Sequence, residues 1–131
     1  MSVVVGYVPT PEGDAALDAA MAQAQARGTR LIVVLSERGH RFGAEATELQ
    51  GYADDVRQRL DDAGLAHDVR LTSRGRDVAD DIIAAASENG ADLIVIGLRR
   101  RSPVGKLLLG SNAQRILLDA PCPVLAVKPV V

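Results

Sequence analysis

The chain has 131 residues, 47% of them hydrophobic and 24% charged, with a formal net charge of −2 at neutral pH. That length holds one hydrophobic core, so residues 1–131 are expected to form a single domain, and the composition argues against disorder. A slightly acidic chain whose only aromatics are Tyr7, Phe42 and Tyr52 has neither the basic face of a nucleic-acid binder nor a stacking platform for single strands.

The first expected element is a strand over residues 3–8, VVVGYV, short and β-branched and closed by the turn signal PTPEG. A helix follows, with Thr10 placed to cap it, Pro11 at its first position, and Glu12 and Asp14 at the positive end of its dipole. Ala16, Leu17, Ala20, Met21 and Ala24 form its apolar stripe, and Arg27-Gly28 ends it. LIVVL at 31–35 is a second strand, and the polar SERGHRFG after it reads as an exposed loop. Leu49, Tyr52, Ala53, Val56, Leu60 and Ala63 keep helical spacing, which predicts a helix over roughly 43–64, stopped at Gly64. AHDVRLT alternates apolar and polar residues, as an edge strand with one wet face does. Asp77 is the expected N-cap of a helix that turns Val78, Ile82, Ile83 and Ala86 inward and stops at ENG. ADLIVIG at 91–97 is continuously apolar, like a central parallel strand. A last helix, 111–119, is expected to bury Ala113, Ile116 and Leu117 before APCPVLAVKPVV supplies the final strand.

One helix between each pair of apolar strands argues for an α/β fold, a parallel sheet with helices on both faces joined by right-handed crossovers. Ligands of such open sheets bind at the carboxyl ends of the strands, where strand order reverses. The loops after the first, second and fourth strands are therefore the ones to watch. The fourth, within GLRRRSPVGKLLLGSN at 97–112, is the longest and holds Arg99, Arg100, Arg101 and Lys106 with no acidic residue. A phosphate site needs converging backbone N–H groups, small side chains and positive potential. Gly97, Gly110 and Ser111 meet the first two needs if Ser111 opens the last helix, and the basic residues meet the third. A solvated basic loop, with Ser111 and Asn112 acting only as helix caps, is the competing reading. The position at the ligand end of a central strand favours the anion site.

The alternation, together with GADLIVIG, IGLRRRSPVGKLLLGSNAQRIL and APCPVLAVKP, resembles the universal stress protein family over essentially the whole chain. The resemblance implies an open five-stranded parallel sheet in the order 3-2-1-4-5 and a homodimer formed through the last strand, residues 123–128; the competing reading of that end is a monomer whose edge is blunted by Lys128 and Pro129. It also implies, in one branch of the family, ATP binding through a loop of form G-x2-G-x9-G-[ST]. Gly97 matches the first glycine, Gly110 the third and Ser111 the hydroxyl residue, whereas Arg100 stands at the second glycine. Relatives that bind nucleotide carry Asp-Gly-Ser after the first strand, where this chain has Val8, Pro9 and Thr10. Leu35 falls where such relatives set an apolar residue against adenine. The residues expected to line the ligand are Val8, Leu35, Ile96, Gly97, Arg99, Arg100, Gly110, Ser111, Asn112 and Ala113.

Arg100 admits two opposite roles: its side chain closes the phosphate pocket, or its guanidinium clamps a phosphate bidentately. Val8 in place of Asp removes a partner for ribose or Mg²⁺, which disfavours a full ATP-Mg site and leaves AMP, cyclic AMP or a free anion as ligands. GKLLLGS is not a Walker loop, since Leu107 follows Lys106. His40 and His67 lack ligand spacing, and Cys122, unable to form an internal disulfide, reads as a small buried filler. The pairs Asp54/Asp55 and Asp80/Asp81 read as solvated helix faces. No signal peptide is visible and the apolar runs are far below the ~20 residues that span a bilayer, so a cytoplasmic protein is expected, without nucleic-acid or membrane partners. The leading expectation is a non-enzymatic stress-response module that binds an adenine nucleotide or other phosphate ligand. The alternatives are a nucleotide-free dimeric interaction protein closed by Arg100 and Val8, and slow ATP hydrolysis or self-phosphorylation at Ser102 or Ser111.

Overall fold

The structure, a computed structural model, describes residues 1–35, 46–71, 77–98 and 110–129. Five strands alternate with four helices: β1 (Ser2–Tyr7), α1 (Pro11–Arg27), β2 (Arg30–Leu35), α2 (Ala46–Asp62), β3 (His67–Leu71), α3 (Val78–Glu88), β4 (Ala91–Gly97), α4 (Ser111–Asp119) and β5 (Val124–Val127). The strands form one parallel sheet in the order β3-β2-β1-β4-β5, the architecture expected from the sequence.

Side chains alternate across a strand, and that period divides the core in two. Val3, Val5 and Tyr7 of β1, Leu31, Val33 and Leu35 of β2, and Leu93 and Val95 of β4 meet Ala16, Leu17 and Ala20 of α1 and Ala53, Val56 and Leu60 of α2. The intervening residues Val4, Ile32, Val34, Ile94 and Ile96 meet Ala79, Ile82 and Ala86 of α3 and Ile116 of α4 on the other face. The central strands are apolar at nearly every position because both faces are covered. Fully burying each large side chain contributes about 1.5–3 kcal/mol.

Local signals set the ends of α1. The Thr10 hydroxyl accepts the Gly13 N–H at 3.2 Å, Pro11 takes the first position, and Gly28 closes the helix at φ 63°, a left-handed conformation costly for any residue with a Cβ.

Several expectations are corrected. β1 stops at Tyr7, and Val8 lies beyond the sheet. The helical residues of α2 end at Asp62, and Gly64 closes the helix as expected: it is left-handed at φ 68°, and the Leu65 N–H returns to the Leu60 carbonyl at 3.0 Å; the expected start at 43–45 lies outside the described residues. Asp77 is the N-cap of α3 by position, but its side chain makes no capping hydrogen bond and instead approaches Arg115 at 4.0 Å. Asp80 pairs with the same arginine, and Asp54 pairs with Arg57 at 3.2 Å, so these carboxylates do more than solvate. Leu117 is exposed, since α4 lies on the sheet through Ile116, with Ala113 half-buried beside it. The final strand covers only Val124–Val127.

Candidate functional site

The chain places β2 and β3 on one side of β1 and then returns to place β4 on the other. Strand order therefore reverses between β1 and β4, and the crevice beyond their carboxyl ends is where this architecture receives ligands. Parallel strands bring the amino ends of α1 and α4 to this same end of the sheet.

The turn from β1 into α1 is closed upon itself. The half-buried Val8 offers its carbonyl to the Thr10 N–H at 2.8 Å, and Gly13 is pressed so closely against that carbonyl that a Cβ at 13 would overlap it. Gly97 lies two residues beyond Val95 and so faces α1 as Val95 does. A Cβ on Gly97 would stand 2.8 Å from the Glu12 carbonyl carbon and 3.2 Å from the Glu12 Cβ. The missing side chain at 97 thus has a packing cause, the first turn of α1 resting on the end of β4.

The amino end of α4 is built differently. Gly110 is its N-cap, so no side chain caps it, and Ser111 occupies the first helical position instead of the cap. The Gly110 carbonyl accepts the Gln114 N–H at 3.0 Å, while the amides of Ser111, Asn112 and Ala113 precede the first intrahelical bond. Ser111 and Asn112 are exposed. Acidic residues stand in the first turns of α1 (Glu12, Asp14) and α3 (Asp80, Asp81), but none stands in that of α4. Of these three helix openings, that of α4 is the one whose dipole no first-turn acid offsets, which favours an anion there. Arg115, one turn further on, contacts Asp77, Asp80 and Asp119, so its guanidinium fastens α4 to α3 and faces carboxylates.

Beneath the crevice, the Tyr7 hydroxyl donates to Asp14 at 3.0 Å. Burial first, and then that carboxylate, push the phenol up to about 12, so Tyr7 serves as a neutral hydrogen-bond donor at physiological pH. Burial and Asp92 raise the Cys122 thiol, which suits the packing of this half-buried, free cysteine against the α3/α4 core and opposes thiolate chemistry. Among the described residues no three His, Cys, Asp or Glu side chains are grouped to hold a metal ion.

The universal stress protein family model matches residues 1–128. A universal stress protein from Mycolicibacterium smegmatis is 42% identical over 97% of this chain and 97% of its own length. The chain belongs to the universal stress protein family. Among solved structures, a universal stress protein from Archaeoglobus fulgidus is 32% identical with a TM-score of 0.81, covering 98% of both chains. A second from Archaeoglobus fulgidus, in complex with dAMP, is 26% identical with a TM-score of 0.76, again over 98% of both chains.

Within this universal stress protein fold the expected site residues separate into groups. Val8 and Gly97 come together around the first turn of α1. Gly110, Ser111, Asn112 and Ala113 form the opening of α4. Ile96 is buried on the α3/α4 face near Ala113, whereas Leu35 is fully buried on the opposite face among α1 and α2 side chains. Arg99 and Arg100 lie outside the described residues. Sequence reasoning missed Glu12 as a neighbour of Gly97, and it missed the carboxylates around Arg115. Neither leaves a local signal beyond an acid in the first turn of a helix.

Proposed function

We propose that this chain is a non-enzymatic regulatory module that binds an adenine nucleotide or a related phosphate compound between the carboxyl ends of β1 and β4 and the amino end of α4. The observation that carries the reading is an α4 amino terminus with a glycine N-cap and no first-turn acid, set where strand order reverses. The dAMP held by a relative of the same fold supports adenine as the base. In this reading Gly110, Ser111 and Asn112 meet the phosphate through backbone N–H groups, and Gly97 keeps the approach open. The loop basics Arg99 and Arg100 add positive charge. Ligand binding then biases an adjoining surface toward a partner.

A homodimer through β5 belongs to the same proposal, as does a cytoplasmic setting. The two edges of the sheet differ: β3 carries His67, Asp68 and Arg70, with Arg70 paired to Asp68 and Glu88, while β5 is Val124, Leu125, Ala126 and Val127 with no charge at all. Charged edges resist strand addition and apolar ones accept it. No described helix is long and apolar enough to cross a membrane. Isothermal titration with ATP, AMP, cyclic AMP and dAMP tests the binding reading: dissociation constants below about 1 mM support it, and failure of the whole panel to bind overturns it.

A further inference from the structure

We propose that Glu12 is the charge filter of this site, favouring phosphate ligands of low charge over polyphosphates; this rests on the binding reading given above. Glu12 is half-buried in the first turn of α1, and its backbone lies directly on Gly97, the residue that opens the basic loop. Its Cβ is 3.2 Å from where a Cβ on Gly97 would be. The carboxylate carbon is only two bonds beyond that Cβ, so in any rotamer its charge acts on the mouth of the site within a Debye length of about 8 Å.

The neighbouring acids are otherwise engaged. Asp14 accepts the Tyr7 hydroxyl at 3.0 Å, and Asp18 pairs with Arg59 on α2. Among the described residues no cation pairs with Glu12. Thr10 already satisfies the Gly13 N–H of α1, and Glu12 and Asp14 offset the positive end of its dipole, so the attraction of this helix for an anion is weakened. A ligand phosphate drawn by α4 and by the basic residues that follow Gly97 in the sequence therefore also meets the negative charge of Glu12 beside Gly97.

Repulsion from one fixed charge grows in proportion to the charge on the ligand. A cyclic phosphodiester carries a single negative charge, a monophosphate ester close to two and a free triphosphate roughly four. Glu12 thus costs a triphosphate most and a cyclic monophosphate least, which makes it a specificity-determining residue for ligand charge.

The test is titration of wild type, Glu12→Gln and Glu12→Ala with cyclic AMP, AMP and ATP at low salt without divalent cations, each variant first shown to be folded by its melting curve. Asp62→Asn serves as the control, because Asp62 ends α2 at the opposite end of the sheet and removes the same charge. Relief of repulsion predicts that both Glu12 variants tighten ATP about 5–10-fold, AMP about 3-fold and cyclic AMP no more than about 2-fold, with the gradient shrinking as salt is raised. Asp62→Asn should leave all three unchanged. If wild type binds but the Glu12 variants shift the three ligands equally, or not at all, the filter is overturned and the binding site stands. If neither wild type nor the variants bind any of the three, both ideas fall.

Discussion

At the scale of single residues, Gly97 shows how one glycine answers to two demands. The phosphate-loop pattern in the sequence accounts for it by close approach of an anion, and the fold adds the close approach of Glu12. Overlap with a helix backbone is not relieved by a side-chain rotation, because the first turn of α1 is itself held by Val8, Thr10 and Gly13. Gly97→Ala is therefore expected to destabilise the protein by about 1–3 kcal/mol, as overpacking does, read as a lower urea midpoint at unchanged slope. A midpoint equal to wild type would remove the packing explanation. That Gly97 matters was legible from spacing alone. That Glu12 is what presses on it was not, since the two residues are joined only through the register of β1 with β4 and the path of α1 across them.

Among the elements, α1, α2 and α3 bury the faces that their periodicity predicts, and α4 departs from it. Its nine residues make about two and a half turns, too few for periodicity to separate Leu117 from Ile116 as the inward residue. The helix is held instead by Ile116 on the α3/α4 core and by Arg115, which reaches Asp77, Asp80 and Asp119. Two of these carboxylates belong to the opening of α3, so the arginine ties the amino-terminal half of α3 to α4. Removing it with Arg115→Ala should lower stability by no more than about 1 kcal/mol, because the groups are largely exposed and screened. The loss should shrink at high salt, which a urea midpoint measured in low and in molar salt will show. A loss that is the same in both would assign Arg115 a packing role through its aliphatic stem rather than an ionic one.

The whole molecule presents one charged edge, β3, and one apolar edge, β5. If a second copy covers β5 as proposed, the chain migrates as a dimer in size-exclusion chromatography with light scattering. Leu125→Lys, placed on an already partly exposed residue, should then shift it to monomer while retaining the circular dichroism of the wild type; a variant that stays dimeric rules out this edge. The amino-acid order determined the α/β class, the four helices and most strand positions, because each follows from a periodicity of two or 3.6 residues or from local cap and turn chemistry. The strand order 3-2-1-4-5 came through resemblance to a family, and the sheet bears it out. Only the tertiary structure decided what surrounds the crevice. It set Leu35 and Ile96 on opposite faces of the sheet, turned the Val8 carbonyl back into α1, left α4 with a glycine cap, and laid Glu12 on Gly97. Each of these depends on how helices cross a sheet, a relation between residues far apart in the chain that no local pattern encodes.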